Sequence, residues 1–333
     1  MFQLSDDQLL HFREKGYLII EDVLTDADMA QIRAEYEAIL DREAPRLVAE
    51  GKLSQTYAEL PFEERYTKIL FELDDMYAIY QHLDISLPLL QDMPQDASLN
   101  AGPAVFKHLL TNPNILDISE AILGTSELFS NPVQHTRIKP PMAALPDSNI
   151  DSNVAKSGWH QDEAVLTADA DEINMLTVWV AMTNASVENG CMMAVEGSHI
   201  KDVTMHCPGN HKSSSAEIFI PDELIDEDRV VPLEVNKGGL VLLHQRTEHG
   251  SYDNQSDQIR WSFDLRYQPV GEKSGREVFP GFVARSKENP DQVLTDASAW
   301  AREWYDTRDR IIAGEHVQFN ERWLPFSRHQ YCA

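Results

Sequence analysis

The sequence predicts a mainly β protein with α additions, on three observations. The first third places apolar residues at helical spacing, the stretch after Glu127 breaks into short apolar or alternating runs, and one more helical pattern returns near the end. With 333 residues, 42% hydrophobic and 25% charged, the chain can bury one large core.

Ser5-Asp6-Asp7-Gln8 ahead of Leu9, Leu10 and Phe12 reads as a capped helix that stops at Gly16, followed by the short apolar strand Tyr17-Leu18-Ile19-Ile20. Thr25 can cap a second helix over 26–42, where Met29, Ile32, Tyr36 and Ile39 form one apolar face. Residues 62–90, 104–110 and 114–123 also read as helical. Strands are expected over 175–182, 190–195, 230–235, 239–244 and 260–267, with loops over 143–158 and 207–216 that could cover a site. A helix over 297–312 carries Trp300, Trp304 and Tyr305. One domain over 1–333 is the simplest organisation: a mostly helical part (1–125), a β core (126–270) and a C-terminal extension (271–333).

Asp plus Glu outnumber Lys plus Arg by 55 to 28, for a formal net charge of −27 and a pI near 4.7. Such a field repels nucleic acid and leans away from bulky phosphorylated substrates, although a local basic pocket could escape a whole-chain count. A neutral or cationic small molecule suits it better. No long uncharged apolar run and no signal-like N-terminus is present, so the expected location is the cytoplasm, with no membrane partner. Cys191, Cys207 and Cys332 are odd in number and far apart, and they read as reduced thiols. Oligomeric state has no signature in the sequence.

Trp159-His160-Gln161-Asp162 sets an imidazole and a carboxylate two positions apart, where an extended backbone projects both to one side. His249 follows 89 residues later, just beyond the strand that ends at His244. Two histidines and one carboxylate on one face of an octahedral ion leave three positions open, as in non-haem Fe(II) oxygenases. Arg260 then opens an alternating strand on which Arg260, Ser262, Asp264 and Arg266 share one face and Trp261, Phe263, Leu265 and Tyr267 the other. A guanidinium on the polar face can grip a dicarboxylate bidentately, which lysine does less well.

The pattern His160-x-Asp162, distant His249, then Arg260 eleven residues on resembles the phytanoyl-CoA dioxygenase family. Lys139-Pro140-Pro141, Asn189-Gly190-Cys191-Met192, Gly197-Ser198-His199 and the opening Gly16–Ile20 belong to the same resemblance, which spans roughly 5–270. It implies a double-stranded β-helix, the cupin-like jelly roll, flanked by helices. It also implies Fe(II) held by His160, Asp162 and His249, with 2-oxoglutarate and O2 as co-substrates. Hydroxylation of a small-molecule C–H bond, with release of succinate and CO2, is the implied outcome. By the same resemblance Arg260 would hold the far carboxylate of 2-oxoglutarate with help from Ser251. Trp179 would lie beside that pocket unless it is a core aromatic, and Lys139 and Gln134, with Arg137, are weaker candidates for cavity contacts.

His244 is expected to be a supporting or core residue and not a ligand, His199 to be structural, His206 and His211 to be solvated, and the acidic run 222–228 to be exposed. Two other functions fit the triad: a zinc hydrolase or isomerase on the same scaffold, and a non-catalytic cupin-like binding protein. Arg260 speaks against the first, and the complete set of ligands and clamp against the second.

Overall fold

The computed structural model describes residues 2–332 apart from 90, 145–156, 209–217 and 319. His211 and most of the two expected loops therefore lie outside the described residues. Ten strands are present among those described: β1 (Tyr17–Ile20), β2 (Leu128–Ser130), β3 (His135–Lys139), β4 (Leu176–Ala181), β5 (Met192–Val195), β6 (Val230–Leu233), β7 (Leu240–His244), β8 (His249–Ser251), β9 (Arg260–Pro269) and β10 (Phe282–Arg285). The larger sheet runs β1-β7-β4-β9-β2-β10, with β3 also on β9, and the smaller runs β6-β5-β8. All pairings are antiparallel. This is the jelly-roll pairing of two sheets, without closure into a barrel.

Alternation on β9 decides what lies on each side of the large sheet. Trp261 and Phe263 meet Tyr36 and Phe62 from the helices, with Trp261 4.8 Å from Tyr36 and 4.6 Å from Phe62 between ring centroids. All four side chains are at most 1% exposed, so the helices cover this face. The opposite face of β9 looks toward the small sheet, where Trp179, Ala181, Met192, Ala194, Val241 and Leu243 form a separate apolar cluster.

The N-terminal helices follow their local signals. Ser5 and Gln8 form a capping box for Asp6–Lys15, which ends at Gly16 with φ 80°. A Cβ at that glycine would come within 2.4 Å of His199 Nδ1. Thr25 and Asp28 cap Asp26–Ala49, which continues past the expected end and through Pro45. The single helix expected over 62–90 is instead Phe62–Glu72 and the short turn Tyr77–Tyr80, and the stretch from Pro103 to Leu110 passes from α-helix to π-helix. No helix among the described residues is long and apolar enough to cross a membrane.

Trp300 and Trp304 of the helix Ala297–Ile312 are buried in the chain's own core, against Phe106, Phe282 and Phe279. The tail then docks behind the candidate ligands. Trp323 Nε1 and Asn320 Nδ2 donate to the Ala164 carbonyl at 2.8 and 2.5 Å, and Arg322 pairs with Asp171. This docking overturns the expectation for two of the three thiols. Cys207 and Cys332, 125 residues apart, are joined in a disulfide with Cα atoms 5.3 Å apart, and Cys191 alone is a free, buried thiol. Tertiary packing joins them, and no local spacing could have announced the pair.

Candidate active site

Backbone pairing brings the two candidate imidazoles together. His160 and His249 form an isolated antiparallel bridge and exchange both N–H···O bonds at 2.9 Å, so their rings lie 4.2 Å apart between centroids. Gln161 is extended (φ −120°, ψ 135°), which returns Asp162 to the side of His160 before a short helical turn begins. One ligand atom from each of the three lies within 4.8 Å of the others.

Each ring is fixed in the tautomer a metal needs. A carbonyl can only accept, so His160 Nδ1–H donates to Gly158 O at 2.9 Å and His249 Nδ1–H to Thr247 O at 2.8 Å. Both Nε2 lone pairs are left for an ion. Burial, followed by the neighbouring His249, lowers the His160 pKa to about 3 and keeps it neutral. Burial alone would raise the Asp162 carboxyl, but Arg266, the two imidazoles and a hydrogen bond from Thr177 together hold it well below the usual carboxylate range. Two imidazoles and one carboxylate, without a thiolate, fit Fe(II).

The two imidazoles of the triad line a cavity together with Arg137, Thr177, Trp179, Met192, Asp264 and Arg260, among others. Arg260 Nε donates to the Gly190 carbonyl at 3.2 Å and Nη1 to Ser262 Oγ at 2.6 Å, and its guanidinium lies 5.1 Å from the centre of the Trp179 ring. Burial lowers its pKa to about 10, which leaves it cationic at neutral pH. Among the described lining residues the cavity is locally basic, with Arg137, Arg260 and Arg266 beside Asp264, despite the acidic whole.

Trp179 lines the cavity, whereas three other candidates do not. Lys139 Nζ donates to Ser251 Oγ at 2.7 Å and to Tyr252 O at 2.5 Å, and Ser251 Oγ also accepts from Ser157 N–H. This pair sits behind the wall next to Gly190, where an added Cβ would meet Lys139 Cδ at 2.8 Å. Gln134 has the opposite parity to Arg137 and turns its amide to Ser130 and Asn131. The expected solvated His206 is instead fully buried. Its Nδ1–H donates to Thr204 O at 2.7 Å, its Nε2 accepts the Gln161 N–H at 3.1 Å, and Trp323 packs on its ring. His206 therefore holds the backbone between two ligand candidates, because the tail excludes solvent there. His244 lies away from the triad beside His199, and the acidic side chains of 222–228 are exposed.

Thr177 and Arg266 also belong to the site, each hydrogen-bonded to Asp162. Arg266 shares the polar face of β9 with Arg260, and Thr177 has the parity of Trp179, so both signals were present as alternation. What was missing was the register that sets them beside Asp162.

The family model described as Phytanoyl-CoA dioxygenase (PhyH) matches residues 12–262. The chain belongs to the phytanoyl-CoA dioxygenase family. Among curated relatives in the family's range, the mouse "Phytanoyl-CoA dioxygenase domain-containing protein 1" is 26% identical over 286 residues, covering 84% of this chain and 94% of the mouse protein. The human "Phytanoyl-CoA dioxygenase, peroxisomal" is 24% identical over 270 residues, covering 79% and 68%. Of the solved structures, EvdO2 from Micromonospora carbonacea var. aurantiaca, complexed with 2-oxoglutarate, aligns with a TM-score of 0.54 at 19% identity, over 88% of this chain and 98% of EvdO2. The non-heme monooxygenase ThoJ also aligns at 0.54 and 19%, over 93% and 100%. At that identity the two structures show a shared fold.

Proposed function

We propose that this family member is an Fe(II)- and 2-oxoglutarate-dependent dioxygenase that hydroxylates an unactivated C–H bond of a small molecule, with release of succinate and CO2. One observation carries the reading: both histidines of a preorganised two-histidine, one-carboxylate set line one cavity with a buried arginine. Residence in this family supports it, as does the 2-oxoglutarate bound in a neighbour of the same fold.

Bound iron would supply O2 activation coupled to oxidation of the 2-oxo acid. The chain's own groups place the reactants. His160 and His249 offer Nε2, and Asp162 offers one oxygen while Arg266 and Thr177 hold it. Arg260, oriented by Ser262 and Gly190, would grip the far carboxylate of 2-oxoglutarate, with the Trp179 ring against its guanidinium. Ser251 and Lys139 would support that end from behind Gly190. Placement in the remaining space then selects the carbon that reacts.

The test is succinate formed from 2-oxoglutarate by the Fe(II)-loaded protein under air, across a panel of small amines, amino acids and acyl thioesters. Substrate-stimulated succinate, with an oxygen atom found in the stimulating compound, is the expected result. Failure to bind both iron and 2-oxoglutarate would overturn the reading.

A further inference from the structure

We propose that Arg266 is a positioning residue that, together with Thr177, restricts Asp162 to one-oxygen ligation and so keeps a third coordination position open on the metal. The inference rests on the iron and 2-oxoglutarate reading above. Two imidazoles and a single carboxylate oxygen leave three positions on an octahedral ion. A chelating 2-oxo acid takes two and O2 needs the third, so a carboxylate binding through both oxygens would leave the site one position short.

The sheet enforces the one-oxygen mode. Thr177 on β4 and Arg266 on β9 are directly paired in the antiparallel ladder and project from the same side of the sheet. Arg266 Nη2 donates to Asp162 Oδ1 at 2.6 Å while Nη1 donates to the Val133 carbonyl at 2.9 Å. A planar fork tied at two points cannot follow the carboxylate if it rotates. Thr177 Oγ1 donates to Oδ2, the oxygen that faces His249 Nε2 at 4.0 Å. One lone pair of Oδ2 remains for the ion, and Oδ1 is held away from it by a charge-assisted bond. Asp162 is fully buried and Arg266 is 5% exposed, so water does not compete for these bonds.

Simple charge neutralisation of a buried aspartate is the competing role, and lysine separates the two. Apo protein would be titrated with Co(II), whose visible absorption intensifies as coordination number falls, and then with 2-oxoglutarate under nitrogen. Wild type, Arg266→Met, Arg266→Lys and Thr177→Val would be compared, with thermal midpoints as the check on folding. Arg266→Met is expected to weaken Co(II) binding by roughly 10- to 100-fold. Its 2-oxoglutarate affinity in the Co(II) form should fall at least about tenfold further, with a changed Co(II) spectrum, and Arg266→Lys should remain weak. Unchanged 2-oxoglutarate binding in Arg266→Met, or full recovery in Arg266→Lys, would overturn the positioning role and leave neutralisation alone. If Arg266→Met does not fold, the lysine and valine variants still decide the point: wild-type spectra and affinity in both would overturn it. If the wild type itself binds neither Co(II) nor 2-oxoglutarate, the functional reading fails and the proposal with it.

Discussion

Thr177 and Arg266 stand opposite each other across the β4–β9 ladder, and each holds one oxygen of Asp162. The candidate carboxylate ligand is thereby built into the sheet as well as into its own loop. Asp162→Ala should abolish metal binding and also destabilise the fold by about 3–5 kcal/mol, because a buried guanidinium loses its anion. His160→Ala should abolish metal binding at a smaller cost in stability. Metal content after dialysis, read with urea unfolding, checks both, and full metal occupancy in either variant would place the metal elsewhere.

Arg260→Ala should raise the 2-oxoglutarate requirement by roughly 30- to 150-fold, the equivalent of about 2–3 kcal/mol for losing a charged partner in a buried site. Metal binding should be largely retained, since Arg260 donates to Gly190 and Ser262 and to none of the three candidate ligands. Arg260→Lys should recover only part, for want of the bidentate fork. Succinate formation as a function of 2-oxoglutarate measures this, and an unchanged requirement would show that Arg260 is not the clamp.

Stability should fall as the solution is acidified. Burial, opposed by the bond to Thr204, lowers the pKa of His206 to about 4 in the folded protein, below its value of about 6.5 in an unfolded chain. The unfolded state therefore takes up the proton first. The His206 contribution is complete above about pH 6.5 and is lost progressively toward about pH 4, at about 1.4 kcal/mol per pH unit. His244, whose pKa burial also lowers to about 4, acts in the same direction. Urea unfolding at several pH values should show a shallower dependence in His206→Gln than in wild type, and parallel curves would contradict a neutral, buried His206.

Reduction of Cys207–Cys332 should destabilise the protein by about 2–4 kcal/mol, the usual range for a disulfide closing a long loop. For a chain of this size that corresponds to a fall of roughly 3–6 °C in Tm. Thiol titration in denaturant should find one thiol before treatment with a dithiol and all three cysteines after it. Three thiols in carefully oxidised protein would show that the bridge does not form.

Much of this protein was determined by local sequence. Capping boxes at Ser5 and Thr25, alternation along β9 and the separate spacings of His160 with Asp162 and of His249 with Arg260 are short-range patterns, because helix caps, strand parity and ligand presentation depend on nearby residues. Tertiary structure decided which of those faces meet. Residues far apart in the chain are set beside one another by strand register, which placed Thr177 and Arg266 on Asp162 and His160 opposite His249. Packing of the tail decided the rest: it buried His206 under Trp323 and brought Cys332 to Cys207. Neither event leaves a periodicity or a spacing, since contact between distant segments depends on the path of the whole chain.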